Sequence, residues 1–96
     1  MIYYLHMKIR HYNVLFYSEP EGGFTATVPS LPGCVTYGEN LKEAKKMVRD
    51  AIEGYIASLK KHNEPIPSDD DVVTSFIDIE EPIQSSYAKT SRSYAS

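Results

Sequence analysis

Near the start of the chain apolar and polar positions alternate, and further on the period changes. In MKIRHYNVLFYSE, Tyr12, Val14 and Phe16 alternate with Asn13, Leu15 and Tyr17. Aromatic and β-branched residues suit a pleated, half-buried surface. The pattern predicts strand one over Lys8 to Ser18. The next residues, EPEGG from Glu19 to Gly23, read as a hairpin turn in which Gly22 and Gly23 can take positive φ. FTATV is strand two, with Phe24, Ala26 and Val28 on one face and Thr25 and Thr27 on the other. Pro29 has no N–H for a ladder and ends it. Leu31-Pro32-Gly33-Cys34 fits a type II turn, with Pro setting φ at the second position and Gly supplying positive φ at the third. CVTY follows as a short strand three, and Gly38 breaks it.

A helical period begins at Asn40, an N-cap residue with Glu43 three positions on in capping-box spacing. The expected helix runs from Leu41 to His62. At ~100° per residue, Leu41, Ala44, Val48, Ala51, Ile52, Tyr55, Ile56 and Leu59 fall within an arc of about 140°, one apolar face to lay on a sheet. Lys45 falls inside that arc near its edge and must snorkel or mark a gap in the packing. Lys60, Lys61 and His62 suit the negative end of the helix dipole.

NEPIPSDDD, Asn63 to Asp71, is a loop with two prolines, and VVTSFIDIE, Val72 to Glu80, predicts strand four, which Pro82 ends. The fold class is therefore α+β, in the order β-β-β-α-β. It has a three-stranded antiparallel meander, a crossover helix packed on one sheet face, and a last strand able to lie parallel to one of the meander. Three segments follow from this. Residues 1–7 are an N-terminal extension, with Met7 a possible alternative start. Residues 8–81 form the domain. Residues 82–96, with low apolar content and no periodicity, form a disordered tail.

Composition narrows the function classes. At 96 residues there is one domain, and 42% hydrophobic residues support a core that still leaves much surface in water. A net charge of −3 argues against a dedicated nucleic-acid protein. A single cysteine excludes an internal disulfide and fits a reducing cytoplasm. No apolar run approaches the ~20 residues of a membrane span, and MIYYLHMKIR lacks the apolar length and small-residue site of a secretory leader.

The stretch GGFTATVPSLPGCVTYGENLKEA resembles the HicB-like antitoxin family, small proteins that partner HicA-type RNA-cleaving toxins. The resemblance rests on Gly22-Gly23, the aromatic-led strand at Phe24, the corner Pro29-Ser30-Leu31-Pro32-Gly33-Cys34, and the helix start from Gly38 through Asn40 and Glu43 to Ala44. Pro65 to Pro67 extends it, and it covers Tyr12 to Ile79. The resemblance implies a partial RNase H-like fold, an antitoxin function exerted by binding the toxin over its active site, and oligomeric assembly. Many members continue into a ribbon-helix-helix or helix-turn-helix segment that binds operator DNA. Here SSYAKTSRSYAS can build neither, so DNA binding by this chain is not expected. Lys45 stands where the family more often has an apolar or small residue.

Several residues invite chemistry, and each has a plainer reading. RNase H-like nucleases hold two metals with carboxylates on their first strands and helix. KIRHYNVLFYS carries no Asp or Glu, and Glu43 is explained by capping, so no enzymatic activity and no cofactor or metal is expected. Asp69, Asp70 and Asp71 lack the ligand spacing of a calcium loop and read as a solvated charge run. Cys34 has no base spaced to activate it and reads as a small buried residue. His6, His11 and His62 lack metal-ligand spacing. Lys42, Lys46, Arg49 and Lys60 share one side of the helix, diluted by Asp50 and Glu53, and read as a solvated outer face. The eight tyrosines fit core and interface positions better than a base-stacking platform.

From Asn63 to Ile83 the charges are all acidic: Glu64, Asp69, Asp70, Asp71, Asp78, Glu80 and Glu81. An RNA-binding toxin is basic, and an acidic face steers association with it and competes with RNA. Glu64, Asp69, Asp70, Asp71, Asp78 and Glu80 are thus candidate toxin contacts. Strand one is apolar on both faces, as is strand four, and one helix covers one face only. Leu15, Tyr17, Val73, Phe76, Ile77 and Ile79 are therefore candidates for the interface of a homodimer or tetramer. The expected function is a cytoplasmic antitoxin that neutralises a HicA-type toxin by covering its RNA site. The alternatives are a nucleic-acid-binding regulator acting through the basic helix stripe, or an orphan oligomeric domain without a toxin.

Overall fold

A computed structural model describes residues 8–84. The expected N-terminal extension, His6, Met7 and nearly all of the expected disordered tail lie outside the described residues. The order is β1 (Leu15–Ser18), β2 (Phe24–Thr27), β3 (Val35–Gly38) and α1 (Leu41–Lys61). The strands form one antiparallel sheet in the order β1-β2-β3, and α1 packs against it across β3 and β2. This is the α+β meander-and-helix arrangement that the periodicities require.

The register explains which residues face the helix. Phe16 pairs with Ala26 and Ala26 with Thr36, and this row lies under α1. Ala26, Val28, Leu31, Cys34 and Val48 form the buried core, with Tyr12, Val14, Phe16, Ala51, Ile52 and Tyr55 packed around it. Ala44 is fully buried, whereas Leu41, at the helix start, is 41% exposed. Lys45 lies at the surface.

The rigid corner is two successive β-turns sharing one residue. Leu31 N–H donates to the Val28 carbonyl at 2.9 Å, and Cys34 N–H donates to the Leu31 carbonyl at 2.9 Å. Each turn has proline at its second position, which presets φ. Gly33 has φ +84°, as the type II turn requires. The shared residue, Leu31, is thereby driven into the core with no exposed surface. Val28 N–H then donates to the Cys34 carbonyl at 3.1 Å, so the corner returns the chain in register for β3. Tyr55 of α1 donates to the Pro32 carbonyl at 2.8 Å and ties the helix to the corner. In the hairpin Gly22 and Gly23 take the expected positive φ, 108° and 83°, and the Tyr37 hydroxyl donates to the Gly22 carbonyl at 2.9 Å.

Both helix ends are closed by side-chain and backbone caps. Asn40 Oδ1 accepts from Glu43 N–H at 2.8 Å, and Glu43 Oε1 accepts from Glu39 N–H at 2.6 Å. The return bond thus reaches one residue further back than in the usual capping box. At the far end Asn63 has φ +55°. Asn63 N–H reaches Lys60 O at 3.1 Å and Glu64 N–H reaches Leu59 O at 2.9 Å. That is a Schellman motif with asparagine in the left-handed position.

The structure corrects three expectations. Strand one is shorter than Lys8–Ser18, because β2 gives way to the Pro29 corner and residues 8–13 have no ladder partner among the described residues. Gly38 does not break strand three. It is the last residue of β3, pairs with Phe24, and is buried. A Cβ there would stand 2.3 Å from the Ala44 nitrogen, so its role is to let the helix start sit directly on the sheet. Val72–Glu80 joins no ladder among the described residues. The loop before it delivers the chain beside β1, but the segment then runs on in solvent.

Candidate partner-binding surface

Three surfaces carry the candidate residues. The first is the helix-free face of the sheet. Its rows are Leu15–Thr27–Val35 and Tyr17–Thr25–Tyr37. Leu15, Val35, Tyr17 and Tyr37 are about half exposed, so one face of a small sheet presents two aliphatic and two aromatic side chains to water. Contiguous apolar patches of this kind mark interaction sites.

The second surface is the segment after the loop. Val73 is 90%, Phe76 96%, Ile77 79%, Ile79 79% and Ile83 97% exposed. Thr74, Ser75 and Phe76 face Asn13, Val14 and Leu15 across an open cleft of about 560 Å³. The structure therefore brings Leu15 near the start of this segment, while Tyr17 belongs to the open face.

The third is the acidic strip. Glu64, Asp70, Asp71, Asp78, Glu80 and Glu81 are exposed. Asp69 is not part of it. It is 1% exposed, and it accepts from Asn13 N–H at 2.8 Å, from Asn13 Nδ2 at 3.2 Å and from the Ser30 hydroxyl. These bonds, led by Ser30, hold its carboxyl below the ordinary carboxylate range. Asp69 thus fastens the post-helix loop to the approach to β1 and to the Pro29 corner. The Tyr12 hydroxyl, donating to the Pro67 carbonyl at 2.6 Å, does the same beside it. Asp69 is a structural clamp rather than a surface contact, and the reading of Asp69–Asp71 as one solvated run is corrected at this residue. Within the sequence Asp69 resembles its two neighbours; the one cue is its position directly after Pro-Ser at the loop's end.

The remaining candidates stay apart. Cys34 is 5% exposed, and burial pushes its thiol above the ordinary value, which keeps it protonated and unreactive. His11 Nδ1 lies 3.9 Å from Asp70 Oδ1 with both side chains exposed. Among the described residues no group of three or more His, Cys, Asp or Glu gathers as a metal site. Lys42, Lys46, Arg49 and Lys60 are exposed, and Arg49 stands 3.9 Å from Glu53, an i,i+4 pair within the helix itself. No helix of the described residues is long and apolar enough to cross a membrane.

Among the described residues, a short meander with a double-proline corner and a capped helix presents apolar and acidic surface to water. Residues 12–85 match the family described as HicB-like antitoxin of bacterial toxin–antitoxin systems. A UPF0150 protein of Thermoplasma acidophilum is 48% identical over 58 residues, covering 60% of this chain and 84% of the relative. Two UPF0150 proteins of Synechocystis are also similar. One is 39% identical over 66 residues, covering 69% and 84% of the two chains. The other is 33% identical over 58 residues, covering 60% and 80%. The chain belongs to the HicB-like antitoxin family.

Proposed function

We propose that the protein is a cytoplasmic antitoxin, without catalysis of its own, that binds a HicA-type RNA-cleaving toxin and covers its RNA site. Family membership supports the antitoxin role. The single structural observation that carries the mode of action is the exposed acidic strip Glu64, Asp70, Asp71, Asp78, Glu80 and Glu81, which no Lys or Arg between residues 63 and 84 interrupts. A toxin that holds phosphates is basic, so the strip speeds encounter and occupies the place RNA would take. In this reading the protein works as a homodimer or tetramer, and the meander and helix form the first part of an RNase H-like unit.

The test uses any short basic protein that the neighbouring reading frame encodes. Stoichiometric antitoxin is expected to stop its cleavage of RNA. Charge reversal at Asp70, Asp71 and Glu80 is expected to slow association and flatten its salt dependence. RNA cleavage that continues undiminished with excess antitoxin would refute the proposal. The purified protein alone is expected to leave RNA intact in magnesium or manganese.

A further inference from the structure

Two segments outside the sheet and the helix lack a strand partner among the described residues. One is Lys8–Val14, which leads into β1. The other is the arm Val72–Ile83. They differ in charge. The lead carries Lys8, Arg10 and His11, and the arm carries Asp78, Glu80 and Glu81. They also differ in direction. The Asp69–Asn13 clamp anchors the arm at the end of the lead, and the arm then passes Asn13–Leu15.

That geometry limits what the arm can reach within its own chain. Past Asn13 lies β1, which ends at Ser18 before the hairpin turn. Four strand residues cannot pair an arm of twelve. The basic lead lies behind the anchor, so the arm would have to reverse on itself to cover it. The clamp thus leaves an acidic, apolar arm and a basic lead outside the sheet of one molecule, placed so that neither fully satisfies the other.

We infer that two copies exchange these arms. The arm of one protomer adds to the outer edge of the other's β1 and its lead, with the acidic end Asp78–Glu81 over Lys8 and Arg10. Exchange of an identical element between protomers is a low-cost route to a two-fold dimer, and an uncovered edge is a template for strand addition. Along the arm Val73, Ile77, Ile79 and Ile83 share one side. Val72 and Phe76 fall on the other. At roughly 60–120 Å² for each such side chain, the six in each arm and the surface they cover come to about 1,400–2,900 Å² over both arms, enough for the ~1,200–2,000 Å² of stable complexes. The inference rests on the homo-oligomer reading above and specifies its interface.

The test uses the full chain without toxin. Light scattering at micromolar concentration is expected to give twice the 10.9 kDa chain mass. In a dimer mixed from isotope-labelled and unlabelled chains, filtered NMR is expected to show contacts from the Ile77 and Ile79 methyls of one chain to residues 8–14 of the other. The double variant Ile77→Lys, Ile79→Lys is expected to raise the dimer dissociation constant on the order of a hundredfold or more while helix content stays unchanged. A dimer whose interchain contacts fall on Leu15, Tyr17, Val35 and Tyr37 instead overturns the arm exchange and leaves the homo-oligomer reading standing. A monomer overturns both.

Discussion

Replacing Gly38 with alanine would place a Cβ 2.3 Å from the Ala44 nitrogen, 2.5 Å from its Cα and 2.8 Å from the Glu43 carbonyl carbon. All three are backbone atoms of the first helical turn, so no rotamer change relieves the contact. The helix start must rise by about 1 Å or more to restore ordinary separation. Ala44, fully buried, would lift with it. Overpacking of this kind costs about 1–3 kcal/mol, and more where backbone must move. Gly33→Ala is the calibrating case. Its Cβ meets nothing within 4 Å, but φ is +84°, so the cost is backbone strain of about 1–2 kcal/mol. Gly54, on α1, has open space and no positive φ, so Gly54→Ala should stabilise by about 0.5–1 kcal/mol. For a domain of this size 1 kcal/mol moves Tm by about 4–8 °C. Thermal melts followed by far-UV circular dichroism at one protein concentration should therefore order the variants Gly54→Ala, wild type, Gly33→Ala, Gly38→Ala from highest Tm to lowest. If Gly38→Ala melts no lower than Gly33→Ala, the helix does not seat on β3 as described. If Gly33→Ala leaves Tm unchanged, the type II turn is wrong.

Asp69 has its carboxyl held below its ordinary pKa of 3.8, so its contribution to stability is present above the unfolded-state value and is lost as pH falls through the folded one. Urea titrations from pH 7 downward should show wild type losing this stability in the acid range, and Asp69→Asn, already less stable at neutral pH, losing less of it. Thr36 Oγ1 is buried with no hydrogen-bond partner among the described residues, so Thr36→Val should raise stability by about 1 kcal/mol in the same assay; a loss would mean that the hydroxyl is satisfied. Leu31→Ala should cost about 2–5 kcal/mol, read as a lower urea midpoint, because the side chain is fully buried at the pivot of both turns.

The meander, the corner and the capped helix were legible because each rests on local chemistry. Alternation sets strand faces, Pro29 and Pro32 set φ, and Asn40 with Glu43 closes a helix start. What was not legible depends on contacts distant in sequence. Val72–Glu80 has the composition of a strand, but pairing requires an edge to be within reach, and alternation says nothing of that. Asp69 differs from Asp70 only in what folds over it, namely Asn13 and Ser30. Gly38 is ambiguous for the same reason. A glycine before a cap reads as a breaker until the helix is known to sit against it.

The Asn13–Asp69 bond spans 56 positions of the chain, while the hairpin, the corner and the helix are built from near neighbours. Loop-closure entropy makes such a contact costly before the rest is in place, so the body is expected to assemble first and the fastening to engage last. The reverse order holds for opening. The fastening can release without disturbing the sheet, a partial opening below the global one. Native-state hydrogen exchange should then show the Asn13 amide exchanging faster than that of Val28, which is bonded within the corner. A clamp that closes late and opens early gives the arm a rate of release of its own, separate from the unfolding rate of the domain that carries it.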